Sequence, residues 1–278
     1  MPAYNRPDTL PRAIESLLSQ TCRDFALVVV EDAPAATTGA IVERYARRYP
    51  AVTFEQNERR LGMIDNWRRV FIRARELYPR SEYFAWVSDH DVWHATWLEE
   101  MVAALDAHPA VVLAYPESLR MIDAGARVER KGFDTVGITS PHARVRKAAR
   151  WMLAGDIIYG LMRATALEAA GIFRHVITPD RQVLLALSIF GEFMQVHEIL
   201  WYREVLRAFD KQRQRDVFFP NGAPFYIYLP SHLQHFATLL WDFGIRGKGR
   251  PAVGRVGGMR SAMTQLWQSS ARQLVRVS

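Results

Sequence analysis

Cysteine is almost absent. Cys22 stands alone among 278 residues, so no internal disulfide and no cysteine-based metal cluster can form within the chain. Cys22 has no nearby histidine to activate it and reads as an inert structural thiol. Long apolar runs are missing too. None approaches the ~18 residues of a membrane-spanning helix, and the best short stretch, Val183 to Phe190, suits a core helix. No apolar segment of a secretory signal follows Met1, and the expected location is cytoplasmic. Histidines do not cluster: His90 and His94 lie four apart without a third ligand, which argues against zinc. The chain contains no Gly-x-Ser-x-Gly elbow, no phosphate-binding Gly-rich lysine loop and no Gly-x-Gly-x-x-Gly. Internal repeats are also lacking.

Acid is scarce at one end. From Trp241 to Ser278 there are seven basic residues and one acid, Asp242, so this stretch carries +6 of the net +7. The same stretch holds Gly244, Gly247, Gly249, Gly254, Gly257 and Gly258, which is linker composition. A helix is expected only over 261–274. Two readings stay open for this tail: a solvated basic segment, or a peripheral contact with an anionic membrane surface.

What is present is a core. Half the residues are apolar, enough for one large α/β domain with a modest extension. Helix and strand patterns alternate. Residues 7–20 read as a helix with Leu10, Ile14, Leu17 and Leu18 on one face, and 25–30 as a strand buried on both sides. Helices follow over 36–49, 64–78 and 97–108, and strands over 52–55, 83–87 and 111–115. The alternation predicts a mainly parallel sheet with helices on both faces. Such a sheet normally opens with a strand, yet residues 1–5 read as loop, so the first strand is expected to be absent or truncated to a residue or two. Residues 119–150 look irregular. Helices are expected over 145–154, 163–170 and 180–190, and an extended segment over 195–204.

The sharpest chemical signal is Asp89-His90-Asp91, at the end of a buried strand. Ligands of open α/β sheets bind at that edge, and a carboxylate pair suits Mg2+ or Mn2+ bridging phosphates. An acidic loop capping the next helix would have the same composition. Glu31-Asp32 ends another apolar strand and could accept from a base or ribose, or simply cap a helix. Asn57, Arg60, Gly62 and Asn66 form a polar loop in which Gly62 permits a tight turn. Asp180, after Thr178-Pro179, is either a helix cap or a proton acceptor at a cavity edge.

In this order and spacing the segments resemble the inverting family 2 glycosyltransferases of the GT-A fold. The resemblance runs through Pro2-Ala3-Tyr4-Asn5-Arg6-Pro7, Val28-Val29-Val30-Glu31-Asp32, Asn57, Gly62, Asn66, Asp89-His90-Asp91 with Trp93, Tyr159-Gly160, Arg163, Pro179-Asp180 and Gly191-Glu192-Phe193. It covers roughly residues 1–205. It implies a catalytic domain over 1–210, with a nucleotide-binding half to 118 and an acceptor half from 119, and a helical, basic extension over 211–278. Pro2, Ala3, Tyr4, Asn5, Glu31, Asp32, Asn57, Arg60, Gly62, Asn66 and Asp89 would bind the nucleotide. Asp91, with Asp89, would hold Mn2+ or Mg2+, Asp180 would be the general base, and Gly160 and Arg163 would sit at the donor sugar and acceptor. The implied partners are a nucleoside-diphosphate sugar and a glycan or lipid-linked acceptor, with no nucleic acid, in the synthesis of polysaccharide or another cell-surface glycan. Glu31 stands where an aspartate is usual, and Ala33-Pro34 where Gly-Ser is usual. The Gln-x-x-Arg-Trp motif of processive synthases is missing, which points to non-processive transfer. Two rival readings are an inactive nucleotide-binding homologue and a sugar-phosphate nucleotidyltransferase; the latter normally carries a Gly-rich basic loop that this chain lacks.

Overall fold

The structure, a computed structural model, describes residues 1–32, 36–122, 125–129, 132–152, 155–204 and 211–277; Ala33 and Pro34 lie outside the described residues. Strand β2 (Leu27–Glu31) sets the frame. Its side chains alternate: Val28 and Val30 enter a core with Ile64, Trp67, Val70 and Phe71 of α3 (Met63–Leu77), while Leu27 and Val29 join Leu10, Ile14 and Leu17 of α1 (Leu10–Leu18) on the other face. A strand buried on both faces needs this unbroken Leu-Val-Val-Val run. Helix α1 starts later than expected, at Thr9 as N-cap, with Pro11 inside its first turn. Helix α2 (Ala36–Ala46) leads to β3 (Val52–Gln56). Strand β1 is indeed short, Pro2–Ala3, and pairs in parallel with β2, which pairs in parallel with β3.

A second sheet is mixed rather than mainly parallel. It has the order β4 (Tyr83–Phe84), β8 (Leu161–Arg163), β6 (Val111–Ile122), β9 (Glu192–Glu204), β5 (Val92–Trp93), and β7 (Gly125–Glu129) pairs with β6. Among its described residues only β6 and β9 run parallel. Helix α4 (Trp97–Ala107) precedes β6. The strand expected over 83–87 pairs only at Tyr83 and Phe84, against β8. A cavity of about 250 Å³ lies between this segment and the start of β2, lined by Met1, Leu17, Val28, Val70, Val87 and Leu161 among others.

Two expectations are corrected here. The stretch 119–150 is irregular only in part: 132–140 holds no helix or strand, but β6 runs on to Ile122, β7 returns beside it, and α5 (Pro141–Trp151) follows Ser140, whose hydroxyl accepts from the Ala143 N–H. The tail is not a linker. After α6 (Ala164–Ala170), α7 (Pro179–Leu187), α8 (Lys211–Phe218) and α9 (Ser231–Leu239), a π-helical turn spans Leu240–Ile245 and α10 spans Arg250–Val277. Its glycines allow close packing. A Cβ on Gly258 would stand 2.5 Å from the Phe243 backbone, and one on Gly244 would stand 2.8 Å from Met259 Cγ. Phe218, Leu239, Phe243 and Ala262 belong to the same core as Trp67 and Trp86, so 211–277 packs against the rest.

Candidate active site

The carboxyl ends of β1 and β2 and the loop after β4 converge. Tyr4 N–H donates to Asp89 Oδ2 at 3.1 Å, and Asn5 N–H to Glu31 Oε1 at 3.2 Å. Asn5 is held at φ 51, a left-handed conformation that Asn tolerates. Asp32 accepts from Leu61 N–H at 2.8 Å and from Gly62 N–H at 3.0 and 3.2 Å. Gly62 is required twice over. Its φ is +93, and a Cβ there would meet Pro220 Cδ at 2.5 Å. Asn57 Nδ2 donates to Asn66 Oδ1 at 3.0 Å, and Asn66 Nδ2 reaches Val30 O at 3.1 Å, which fixes both amides between β1, β2 and α3. The Arg60 guanidinium lies 4.5 Å over the Tyr4 ring. Burial raises the carboxyl pKa of Glu31 and of Asp32. The Asn5 N–H works against the rise in Glu31, and the N–H groups of Leu61 and Gly62 against that in Asp32.

Asp89 and Asp91 are both buried. His90 sits between them: Nδ1 lies 2.7 Å from Asp89 Oδ1, and Nε2 lies 3.9 Å from Asp91 Oδ1. Burial works to lower the His90 pKa, but the two aspartates prevail and raise it. Asp91 is oriented by β9. Trp201 Nε1 donates to its Oδ2 at 3.0 Å and Glu204 N–H to its Oδ1 at 2.9 Å. Each carboxylate oxygen has two lone pairs, so one accepted bond leaves capacity for a cation. This all-oxygen pair fits a hard divalent ion. Among the described residues no group of three or more His, Cys, Asp or Glu gathers as a ligand set.

Asp180 opens α7. Its carboxyl packs on Gly155, where a Cβ would stand 1.8 Å from Asp180 Oδ2. Burial raises its pKa, partly offset by the Arg181 N–H, while the charge of Asp156 raises it further. Asp180 sits in the first helical turn behind Thr178, whose side chain makes no cap bond. Tyr159 links the two carboxylate groups. It is partly buried, and burial raises its hydroxyl pKa, with the charges of Asp91, Asp89 and Asp180 adding to the rise. Tyr159 also stacks on Trp201 at 5.0 Å. Gly160 leaves no room for a side chain, since its Cβ would stand 2.4 Å from Ala114 O. Arg163 is turned elsewhere. Its guanidinium donates to Val111 O at 2.8 Å and Leu105 O at 2.7 Å, which ties β8 to the end of α4 and leaves the donor-sugar role without support.

Several contributors were not singled out in the sequence. Arg203 pairs with Asp156 at 2.7 Å and lies 4.6 Å over the Trp201 ring. The period of two along β9 puts Trp201 and Arg203 on one face, a signal that was legible. Thr178 is held at φ 52 by α9: Gln234 Oε1 accepts the Ile177 N–H at 2.9 Å, and His235 Nε2 lies 2.9 Å from Ile177 O. Nothing local announces that contact.

A family model described as glycosyl transferase family 2 matches residues 1–165, more than half of the chain. An uncharacterized glycosyltransferase of Haemophilus influenzae is 25% identical over 126 residues, which cover 45% of this chain and 40% of that protein. The chain thus spans well under two thirds of that relative. S. aureus TarS 1–349 in complex with UDP superposes with a TM-score of 0.59 at 15% identity, over 99% of this chain and 90% of that one. For a TarS chain of which 53% is covered, the TM-score is 0.58. The mannosyltransferase PcManGT of Pyrobaculum calidifontis, in complex with GDP-Man and Mn2+, gives 0.57 at 16% identity, over 99% of this chain and 77% of that one. At such identities the structural likeness is one of fold.

Proposed function

The chain belongs to glycosyl transferase family 2, and from that premise we propose that it moves a sugar from a nucleoside-diphosphate donor to an acceptor hydroxyl with inversion. One observation carries the reading: Asp32, Glu31, the Asn57–Asn66 pair and Asp89-His90-Asp91 gather at one edge of the sheets, hydrogen-bonded across β1, β2, α3 and β9. Pro2 to Asn5, Glu31, Asp32, Asn57, Arg60, Gly62 and Asn66 form the nucleoside and ribose side. Tyr4 and the Arg60 guanidinium above it offer a stacking surface at that edge. Asp91, with Asp89, would hold Mn2+ or Mg2+, which supplies positive charge against the departing diphosphate. The neighbour solved with GDP-Man and Mn2+ supports this choice of ion.

Asp180 takes the acceptor proton. The acceptor oxygen bonds to the anomeric carbon as the bond to the diphosphate oxygen breaks, and the proton ends on the Asp180 carboxylate. A carboxyl whose pKa burial raises is a better base than a solvated one, which suits it to this role. Gly160 lets the chain after Tyr159 lie close on β6, where a Cβ would meet Ala114 O at 2.4 Å. The product would serve polysaccharide or other cell-surface glycan synthesis.

A second reading is a chain that binds nucleotide without transferring sugar, since Glu31 stands where an aspartate is usual. Incubation with UDP-, GDP- and dTDP-sugars separates the two. Release of nucleoside diphosphate that depends on an added acceptor, with an inverted anomeric proton coupling in the product, supports transfer. Nucleotide binding without release under any acceptor leaves only the second reading.

A further inference from the structure

Helix α10 is amphipathic in the reversed sense. Its inward residues are Gly258, Ser261, Ala262, Gln265, Gln268 and Ser269, small or amide-bearing. They meet α5 and α9 through polar contacts: Arg150 donates to Gln268 Oε1 at 3.4 Å and Gln265 donates to His232 O at 3.4 Å, while within α10 Gln265 also donates to Ser269 Oγ at 3.3 Å. Its outward stripe is apolar. Val256, Met259, Met263 and Trp267 are 80%, 43%, 56% and 69% exposed. At 100° per residue the four fall within an arc of about 80°. The stripe begins just after Gly254, where φ 64 interrupts the helix.

Charge surrounds this stripe with one sign. Arg255 and Arg260 are exposed on either side of it, and residues 250–277 contain no Asp or Glu. The adjoining π-helical turn adds exposed Trp241 and Ile245, with the Arg246 guanidinium 5.8 Å over the Trp241 ring. Met259 packs on Gly244 of that turn. A helix with Met and Trp outward, flanked by arginine, has the composition of one that lies in a bilayer interface, the rings at headgroup level and the guanidinium groups on phosphates. No helix among the described residues is long and apolar enough to cross a membrane, so the geometry is that of lying on the surface. A second copy is a poorer occupant. A two-fold contact sets the same patch against itself, and α10 would then face Arg255 and Arg260 with their own copies and no acid of its own to pair.

We propose that the Val256–Met259–Met263–Trp267 face of α10 docks on an anionic phospholipid surface. This inference is independent of the sugar-transfer reading. The test is sedimentation of the full chain with phosphatidylcholine vesicles, with and without phosphatidylglycerol. It uses wild type, Met263→Ser/Trp267→Ser and Arg255→Glu/Arg260→Glu, with circular dichroism to show that these exposed positions leave the fold intact. Wild type is expected to pellet with the anionic vesicles, with a blue shift in tryptophan emission and a loss of binding at high salt. Each double variant is expected to bind at least about tenfold more weakly. Three results would overturn the proposal: wild type that stays in the supernatant with both vesicles, variants that pellet as well as wild type, or a wild-type dimer in the ultracentrifuge that Met263→Ser/Trp267→Ser turns into monomer.

Discussion

Burial raises the carboxyl pKa both of Asp32, which follows β2, and of Asp180 at the start of α7, but different contacts hold the carboxylates of the nucleotide edge and Asp180. Asp32 receives backbone N–H groups from Leu61 and Gly62, and Asp89 and Asp91 receive Tyr4, Trp201 and Glu204. Asp180 presses on Gly155 with burial as its main influence. Donors on a carboxylate fix its place and work against the rise that burial gives its pKa, which serves ligand binding. Leaving one poorly solvated makes it take up a proton more readily, which serves base catalysis. The two regions should therefore fail differently when altered.

The largest effect is expected at Asp180. Asp180→Asn should lower acceptor-dependent transfer on the order of a thousandfold while nucleotide affinity stays unchanged. In wild type the acid limb of kcat/KM should lie above the ordinary carboxylate range, because the folded pKa is raised. The sign for stability is opposite. The native carboxyl keeps its proton where the unfolded one has lost it, so stability falls as pH rises through that window, and Asp180→Asn should abolish this loss. Unchanged transfer in Asp180→Asn would remove the contrast altogether.

Next comes the support beneath Asp180. Buried His235 has its pKa lowered from 6.5 to about 4 by burial. The unfolded state takes up the proton first as pH falls, so stability is full above 6.5 and drains between 6.5 and about 4, by roughly 3 kcal/mol. Urea unfolding at a series of pH values should show this slope in wild type and a flatter one in His235→Gln. An identical slope in both would assign the acid sensitivity elsewhere. The smallest effect is expected at Asp32. Asp32→Asn leaves Leu61 and Gly62 N–H groups with a weaker acceptor, costing about 1–2 kcal/mol of stability and weakening nucleotide binding without altering the pH dependence of transfer. A variant with full affinity would show that the donor-saturated side does not bind the nucleotide.

Much of the first half of the chain was legible because its signals are local. The Leu-Val-Val-Val run of β2, the Trp67, Val70 and Phe71 face of α3, and Asp89-His90-Asp91 after an apolar segment each declare themselves within a few residues. The second half hides its order in distant contacts. Strand β6 stays a strand through Glu117, Ser118 and Arg120 because β9 and β7 pair with it, which composition at 119–150 does not reveal. The glycines at 244 and 258 looked like a linker and are sites of helix contact, distinguishable only once Phe243 and Met259 are seen against them. Gln234 and His235 steady the residue before Pro179-Asp180 from more than fifty positions away.

The central claim is a nucleotide site completed by a metal at Asp91. Thermal unfolding of wild type and Asp91→Ala with UDP, GDP or dTDP, each with and without Mn2+, tests it most directly. The account predicts stabilisation of wild type by one nucleotide only when Mn2+ is present, and no such stabilisation in Asp91→Ala. Equal stabilisation of both proteins, or none in either with any nucleotide, would contradict it.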